Sequence, residues 1–403
     1  MRIVITGMGG ICALGHNVPD IWRAMTEGRS GIGPLQRVEP SQFRNKMIAA
    51  EITGFDPQAY IDEARLPYAD PLSQYALVAA DEAIRQAGLD MRGERAMRTA
   101  VVVGAGAAGE ETRDGLYRKL YAEKSSRFHP LGIVRIMGSA PASQISMAHG
   151  ITGPTFTVSS ACASSNHAFA QAVLMMRAGL VDTAVVGGTE ACLTLGVLLA
   201  WEAMRVLAPD TCRPFSANRR GLVLGEGAAM FVLETLERAQ ARGATILAEL
   251  AGVGMSADAG DIAAPSAVGA AAAMQQALRD AGMQPSEIDY VNAHGTGTVA
   301  NDCTETQAIH KVFGEHARRL AVTSTKPMHG HALGAAGALE MIAVVGALQH
   351  GIVPPTLNYL APDPACDLDY VPHQARAMPV GAALSNSFAF GGLNAVVVAR
   401  RAP

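Results

Sequence analysis

One local plan occurs twice in this chain, and that repetition limits the folds open to it more than any single motif does. In the first half a helical pattern with apolar positions Leu77, Ala80, Ile84 and Ala87 stops at Gly88, and a β-branched run from Thr99 to Val103 leads into Gly104-Ala105-Gly106. In the second half Met274, Ala277, Leu278 and Ala281 repeat the helical spacing up to Gly282, and Ile288 to Asn292 leads into His294-Gly295-Thr296-Gly297-Thr298. A second pair follows the same logic. Phe156 to Ser160 reads as a strand feeding a helix that opens at Cys162 and ends near Ala178-Gly179-Leu180-Val181. Its counterpart, Leu320 to Ser324, feeds a helix that opens near His331 and ends at His350-Gly351-Ile352-Val353. By this alignment Cys162 and His331 occupy corresponding helix starts. The seam falls near Gly243, between a helix Thr235 to Arg242 and a strand beginning about Thr245, giving halves 1–243 and 244–403.

Other short runs, Arg2 to Thr6, Thr183 to Val186, Ala229 to Leu233 and Ala395 to Ala399, alternate with Ala-rich helical stretches, the pattern of a layered α/β fold. With 403 residues, 49% hydrophobic and 17% charged, the chain can bury a large core. Forty-two glycines against 5% aromatic residues suit close helix-on-sheet packing. A net charge of −4 gives no reason to expect a nucleic-acid partner. The six cysteines, at 12, 162, 192, 212, 303 and 366, form no C-x-x-C pair and suggest neither a disulfide framework nor a zinc knuckle, which suits a reducing compartment. The opening MRIVITGMGG is too brief an apolar run for a signal or a membrane span, and the apolar stretch Gly334 to Leu348 contains Glu340. The expectation is a cytoplasmic protein without a membrane span.

Cys162 lies in Val158-Ser159-Ser160-Ala161-Cys162-Ala163-Ser164-Ser165, a small-residue turn from strand to helix. A thiol at a helix N-terminus feels unsatisfied N–H groups and the positive end of the dipole, which favour the nucleophilic thiolate. The other five cysteines read as structural. His294 and His331 each sit among glycines and small residues after a strand, and from the two halves they can converge on the thiol to hold a carbonyl or carboxylate. A metal site at His329 and His331 is the weaker reading, because i,i+2 spacing in a loop lacks a third ligand.

These residues together resemble the β-ketoacyl-acyl-carrier-protein synthases of the elongating type. The resemblance runs from Val4-Ile5-Thr6-Gly7-Met8-Gly9 to Ser385-Asn386-Ser387-Phe388-Ala389-Phe390-Gly391-Gly392-Leu393-Asn394. It rests on a Ser-Ala-Cys-Ala, a His-Gly-Thr-Gly-Thr, and a Lys-x-x-x-Gly-His followed by Gly-Ala-Ala-Gly-x-x-Glu. Trp201-Glu202-Ala203-Met204 and Ala208 to Phe215 are most similar to the nodulation-type branch, which builds unusual acyl chains. The resemblance implies a duplicated, five-layer αβαβα thiolase-like fold, a homodimer or a heterodimer with a related subunit, and no cofactor beyond the phosphopantetheine arm delivered by an acyl carrier protein. It makes Cys162 the nucleophile that carries the primer. His294 and His331 bind the malonyl thioester and promote its decarboxylation, and Lys326 and Glu340 form a buried charged pair that orients them. The N–H groups of Cys162 and Phe390 form the oxyanion hole, Phe390 is an aromatic gate, and Thr296 and Thr298 bind the pantetheine arm.

Three departures carry expectations of their own. Ala107-Ala108 stands where many relatives have a bulky residue, which predicts a longer or wider acyl pocket. Pro67-Tyr68 replaces expected docking cations and leaves Arg65, so carrier docking shifts toward Arg213, Arg219 and Arg220. Leu393 replaces a common Thr beside Gly391-Gly392. Three rival functions compete. Gly104-Ala105-Gly106-Ala107-Ala108-Gly109 satisfies the dinucleotide pattern G-x-G-x-x-G, yet Glu110-Glu111-Thr112-Arg113 does not open an apolar crossover helix. A non-catalytic chain-length factor shares the fold but lacks the nucleophile. A degradative thiolase would place a second cysteine in the Gly-rich loop after Ser385, where this chain has none.

Overall fold

Pro71 and Ala87 bound the first long helix for local reasons: Asp70 caps it by accepting from the Leu72 N–H at 3.0 Å, proline takes the first turn, and Gly88 ends it at φ +64°. The counterpart Ala267–Ala281 is capped by Ser266 and ended by Gly282, again at φ +64°. The repetition therefore reaches down to the caps.

A computed structural model describes residues 1–44 and 46–402. The first half supplies strands β1 (Ile3–Cys12), β2 (Thr99–Gly104), β3 (Thr155–Val158), β4 (Thr183–Glu190) and β5 (Gly227–Thr235). The second supplies β6 (Ala248–Ala257), β7 (Tyr290–Asn292), β8 (Ala321–Thr323), β9 (Ala382–Ala389) and β10 (Leu393–Arg400). They form one sheet in the order β8-β7-β9-β10-β6-β1-β5-β4-β2-β3. Outward from the join, each half runs first, fifth, fourth, second, third strand. The join itself is short: Ile3, Val4 and Ile5 pair antiparallel with Leu250, Glu249 and Ala248.

Two helices, Ser164–Arg177 and Ala336–His350, pack against strands of both halves and form the middle layer. Pro71–Ala87 with Ala140–His149 covers the outer face of the first half, and Ala267–Ala281 with Val299–Phe313 covers that of the second. This is the five-layer αβαβα arrangement. The window Leu333–His350 is the one described stretch long and apolar enough to cross a membrane, and 89% of it is buried. Apart from Glu340 its middle is apolar on every side because protein surrounds it.

One sequence expectation is corrected. In the first half, two residues, Ser159 and Ser160, separate β3 from a 3₁₀ turn Ala161–Ala163 that opens the central helix. In the second half, nine residues, 324–332, separate β8 from the matching turn Leu333–Ala335. The structural counterpart of Cys162 is thus Gly334, and His331 lies three residues upstream of it. The additional length holds the short helix Lys326–His329, which small-residue patterning does not reveal.

Candidate active site

Strand β3 ends close to the middle layer, and the turn after it places Ala161 in the left-handed region at φ +49°, setting Cys162 at the mouth of the central helix. The β7 strand delivers His294 through Ala293, whose N–H donates to the Thr323 carbonyl at 2.8 Å. His331 is fixed by its own backbone: its N–H donates to Val223 O at 2.7 Å and its carbonyl accepts from Gly225 N at 3.0 Å. The three side chains meet. His331 Nε2 lies 3.2 Å from Cys162 Sγ, the two imidazole rings stand edge to face at 5.3 Å between centroids, and the sulfur and ring nitrogens fall within 4.8 Å of one another.

Lys326 and Glu340 are both 0% exposed and hydrogen-bonded to each other, which excludes the surface-pair reading. Lys326 Nζ also donates to the His294 carbonyl and lies 3.4 Å from His294 Nδ1. Electrostatics follow from this burial. Both His294 and His331 are pushed well below the usual imidazole value, first by burial and then by the Lys326 charge, so both are neutral near pH 7. Burial also raises the Cys162 thiol to about 12, with Lys326 opposing. Against the sequence expectation that the helix start favours thiolate, burial is the largest influence on this sulfur and favours the thiol.

A 220 Å³ cavity leads in to the sulfur, lined by Cys162, His294, His331, Thr296, Thr298 and Phe390 together with Trp201 and Met204. Thr298 caps the helix Val299–Phe313 and its hydroxyl lies 2.9 Å from that of Thr296, so both are locked by the turn that aims them. Phe390 packs beside Trp201 at 6.0 Å between ring centroids. Its turn is made by Gly391 and Gly392 at φ +84° and +70°, with Leu393 half-buried behind them. Ala107 packs into the apolar cluster around Cys162; Ala108 is not part of that cluster.

The docking arginines divide. Arg220 is exposed and Arg65 is half-buried with its guanidinium on the Met147 carbonyl at 3.3 Å. The Arg213 side chain is 14% exposed and paired with Asp210. Arg219 is the clear correction: its side chain is 2% exposed and bound to Asp363 at 2.6 Å and to Cys303 Sγ at 3.0 Å, so it cannot meet a partner. It sits on a cluster, Cys303, Asp363 and Cys366, that the separated cysteines gave no hint of. His329 points away from the site, its Nε2 on Thr325 Oγ1 at 2.9 Å.

Two buried carboxylates escaped the sequence reading. Glu305 accepts from the N–H groups of His294 and Gly295, each at 2.8 Å, and Asp302 accepts from Phe215 N at 2.7 Å and Gly297 N at 3.2 Å. Together they hold the His294-to-Thr298 turn from beneath. Acids three apart on a helix that directly follows that turn were the available signal. The glycines of the G-x-G-x-x-G segment serve packing: a Cβ on Gly104 would lie 2.5 Å from the backbone of Ser164 and Ser165, and the helix Glu110–Tyr121 after it buries no residue.

The sequence family described as beta-ketoacyl synthase, N-terminal domain, matches residues 1–239, and the corresponding C-terminal domain matches 247–360. The chain belongs to the β-ketoacyl synthase family. It is an acyltransferase of the condensing kind, and the oxidoreductase alternative falls. Nodulation protein E of Rhizobium meliloti (strain 1021) is 52% identical over 396 residues, 98% of each chain. The 3-oxoacyl-(acyl-carrier-protein) synthase 2 of Coxiella burnetii is 40% identical, covering 99% of this chain and 98% of that one. Among solved structures, the ishigamide ketosynthase/chain length factor matches with a TM-score of 0.95 at 36% identity, over 100% of this chain and 99% of that one. A β-ketoacyl synthase from Burkholderia phymatum gives 0.91 at 34% identity over 100% of both.

Proposed function

We propose that this β-ketoacyl synthase condenses an acyl primer held on Cys162 with a malonyl group carried by an acyl carrier protein, and that its primers are long or otherwise unusual. The observation that carries the reading is the convergence of one thiol and two neutral imidazoles at the end of one cavity. Acylation begins when the Cys162 sulfur attacks the primer thioester and its proton passes to the departing pantetheine thiol. The backbone N–H groups of Cys162 and Phe390 are the oxyanion donors in this scheme. The pantetheine thiol leaves, taking the proton. A malonyl thioester then enters along Thr296 and Thr298. Neutral His294 and His331 hydrogen-bond its carbonyl, CO₂ departs, and the enolate so formed attacks the Cys162 thioester and releases the sulfur. The electron pair from the broken C–C bond rests on the thioester oxygen, so the scheme uses no further cofactor.

The nodulation-type relatives and the small Ala107 support an enlarged acyl pocket. Arg220 and Arg65 remain as the cations offered to an acidic carrier. A paired assembly, a homodimer or a heterodimer with a chain-length-factor-like subunit, is supported by β3, an edge strand whose residues are all half-buried, and by exposed Tyr117, Tyr121, Ile133, Val134 and Met137 in the segment leading to it. The presence of all three reacting groups speaks against this chain being the factor itself. Six free cysteines fit a reducing cytoplasm. Intact mass spectrometry with acyl-carrier thioesters of graded length tests the reading: adducts on Cys162 should persist to long and unsaturated chains, and labelling that stops at short primers overturns the pocket assignment.

A further inference from the structure

Glu190 ends strand β4, is 0% exposed, and takes no part in the scheme above. Its hydrogen-bond partners among the described residues are three backbone N–H groups: Gly106 and Gly334, each 2.9 Å from Oε2, and Ala107, 3.2 Å from Oε1. Those donors come from opposite halves of the molecule. Gly106 and Ala107 follow β2 of the first half, whereas Gly334 belongs to the turn that opens the second half's central helix. The carbonyl of Gly334 in turn accepts from the Ser165 hydroxyl, three residues beyond Cys162. First-half groups therefore hold Gly334 at both its N–H and its C=O.

His331 lies at the other end of the same short loop, tied to Val223 and Gly225. Between the two anchor points Leu333 adopts φ +41°, a conformation that strains a non-glycine residue and needs restraint on both sides. The contact also requires bare backbone. A Cβ on Gly334 would lie 2.1 Å from Gly106 N, and one on Gly106 would lie 2.8 Å from Glu190 Oε2. Three N–H donors converging on one side chain call for a group that only accepts, and among uncharged isosteres a glutamine turns one acceptor into a donor. Burial raises Glu190 to about 7 while the three N–H groups oppose that rise.

We propose that Glu190 is a positioning residue for the condensation: it ties the Gly334 turn to the Gly106–Ala107 loop and so fixes the His331 imidazole against the Cys162 thiol. The inference rests on the function proposed above, because the step it protects is the one His331 performs. The carboxylate touches no reacting atom; it acts through the loop.

The test isolates the imidazoles from the thiol. Decarboxylation of malonyl-carrier thioester is measured in Cys162→Ala and in Cys162→Ala/Glu190→Gln. The double variant should lose about 100-fold in kcat, the scale of an ångström-level misplacement, with KM held within about twofold. Cys162→Ala/Ser165→Ala, which loosens the same glycine from its other side, should lose about 10-fold and decides the matter if the glutamine variant does not fold. Decarboxylation by folded protein that is unchanged in these variants, or a rise in KM alone, overturns the positioning role. Failure of the Cys162→Ala parent to decarboxylate at all overturns the proposed function instead.

Discussion

The turns Ala161–Ala163 and Leu333–Ala335 open the two central helices with the same backbone, each beginning on a residue of left-handed φ, +49° at Ala161 and +41° at Leu333. They differ in the middle residue. In the first half that residue is Cys162, 5% exposed and facing the cavity; in the second it is Gly334, which has no side chain and lies against Gly106 and Glu190. The duplicated frame supplies the same shape twice, and chemistry is assigned by what fills it. One helix start carries the thiol that lines the cavity. The other is reduced to glycine so that the halves can close, and the imidazole that faces the thiol comes from the longer loop before it.

The largest expected effect tests that division directly. Cys162→Ala should abolish acyl adducts and condensation, read by intact mass and product formation, while malonyl decarboxylation persists because the imidazoles perform it. If decarboxylation disappears with the thiol, the two regions do not have separable tasks. Next comes the support beneath the imidazoles: Lys326→Met leaves Glu340 buried without its partner and should cost about 3–5 kcal/mol in denaturant unfolding. A loss near the level of an exposed pair would contradict the 0% exposure of both groups.

Gly334→Ala sharpens the contrast between the turns. Its Cβ would meet Gly106 N at 2.1 Å, so the loop must shift, at an expected cost of about 1–3 kcal/mol with condensation reduced more than Cys162 acylation. A silent substitution would mean that the halves do not close as described. A gradual effect is expected in pH. Glu190, raised to about 7 by burial, binds its proton more tightly folded than unfolded, where an ordinary glutamate titrates near 4.5. Its contribution is therefore fully present below about pH 4.5 and is lost as pH rises through about 7. Glu190→Gln should flatten the fall in stability across that window by at most about 1.4 kcal/mol per pH unit, measured by chemical denaturation at several pH values.

Much of the frame was legible in the chain. Asp70 and Gly88, Ser266 and Gly282 mark helix ends by local chemistry, and β-branched runs mark most of the strands, since caps and periodicity act over a few residues. Cys162, His294 and His331 were legible as a group because each stands among small residues after a strand. The partner of Cys162 in the repeat was misassigned, for the reason that loop length changes between halves leave no periodic trace. Arg219 was read as a docking cation because sequence does not tell an exposed arginine from one enclosed by Asp363 and Asp302.

Sequence by itself determined the duplication, the α/β layering and which thiol and imidazoles could share one site, because these follow from side-chain type and short-range spacing. Tertiary structure alone decided that burial raises the Cys162 thiol, that Lys326 and Glu340 share a dry interior, and that Glu190 joins the halves through three N–H groups. Desolvation and backbone-to-carboxylate contacts depend on what surrounds a group in space. Residues 106, 190 and 334 become neighbours only when the sheet halves close on the central helices.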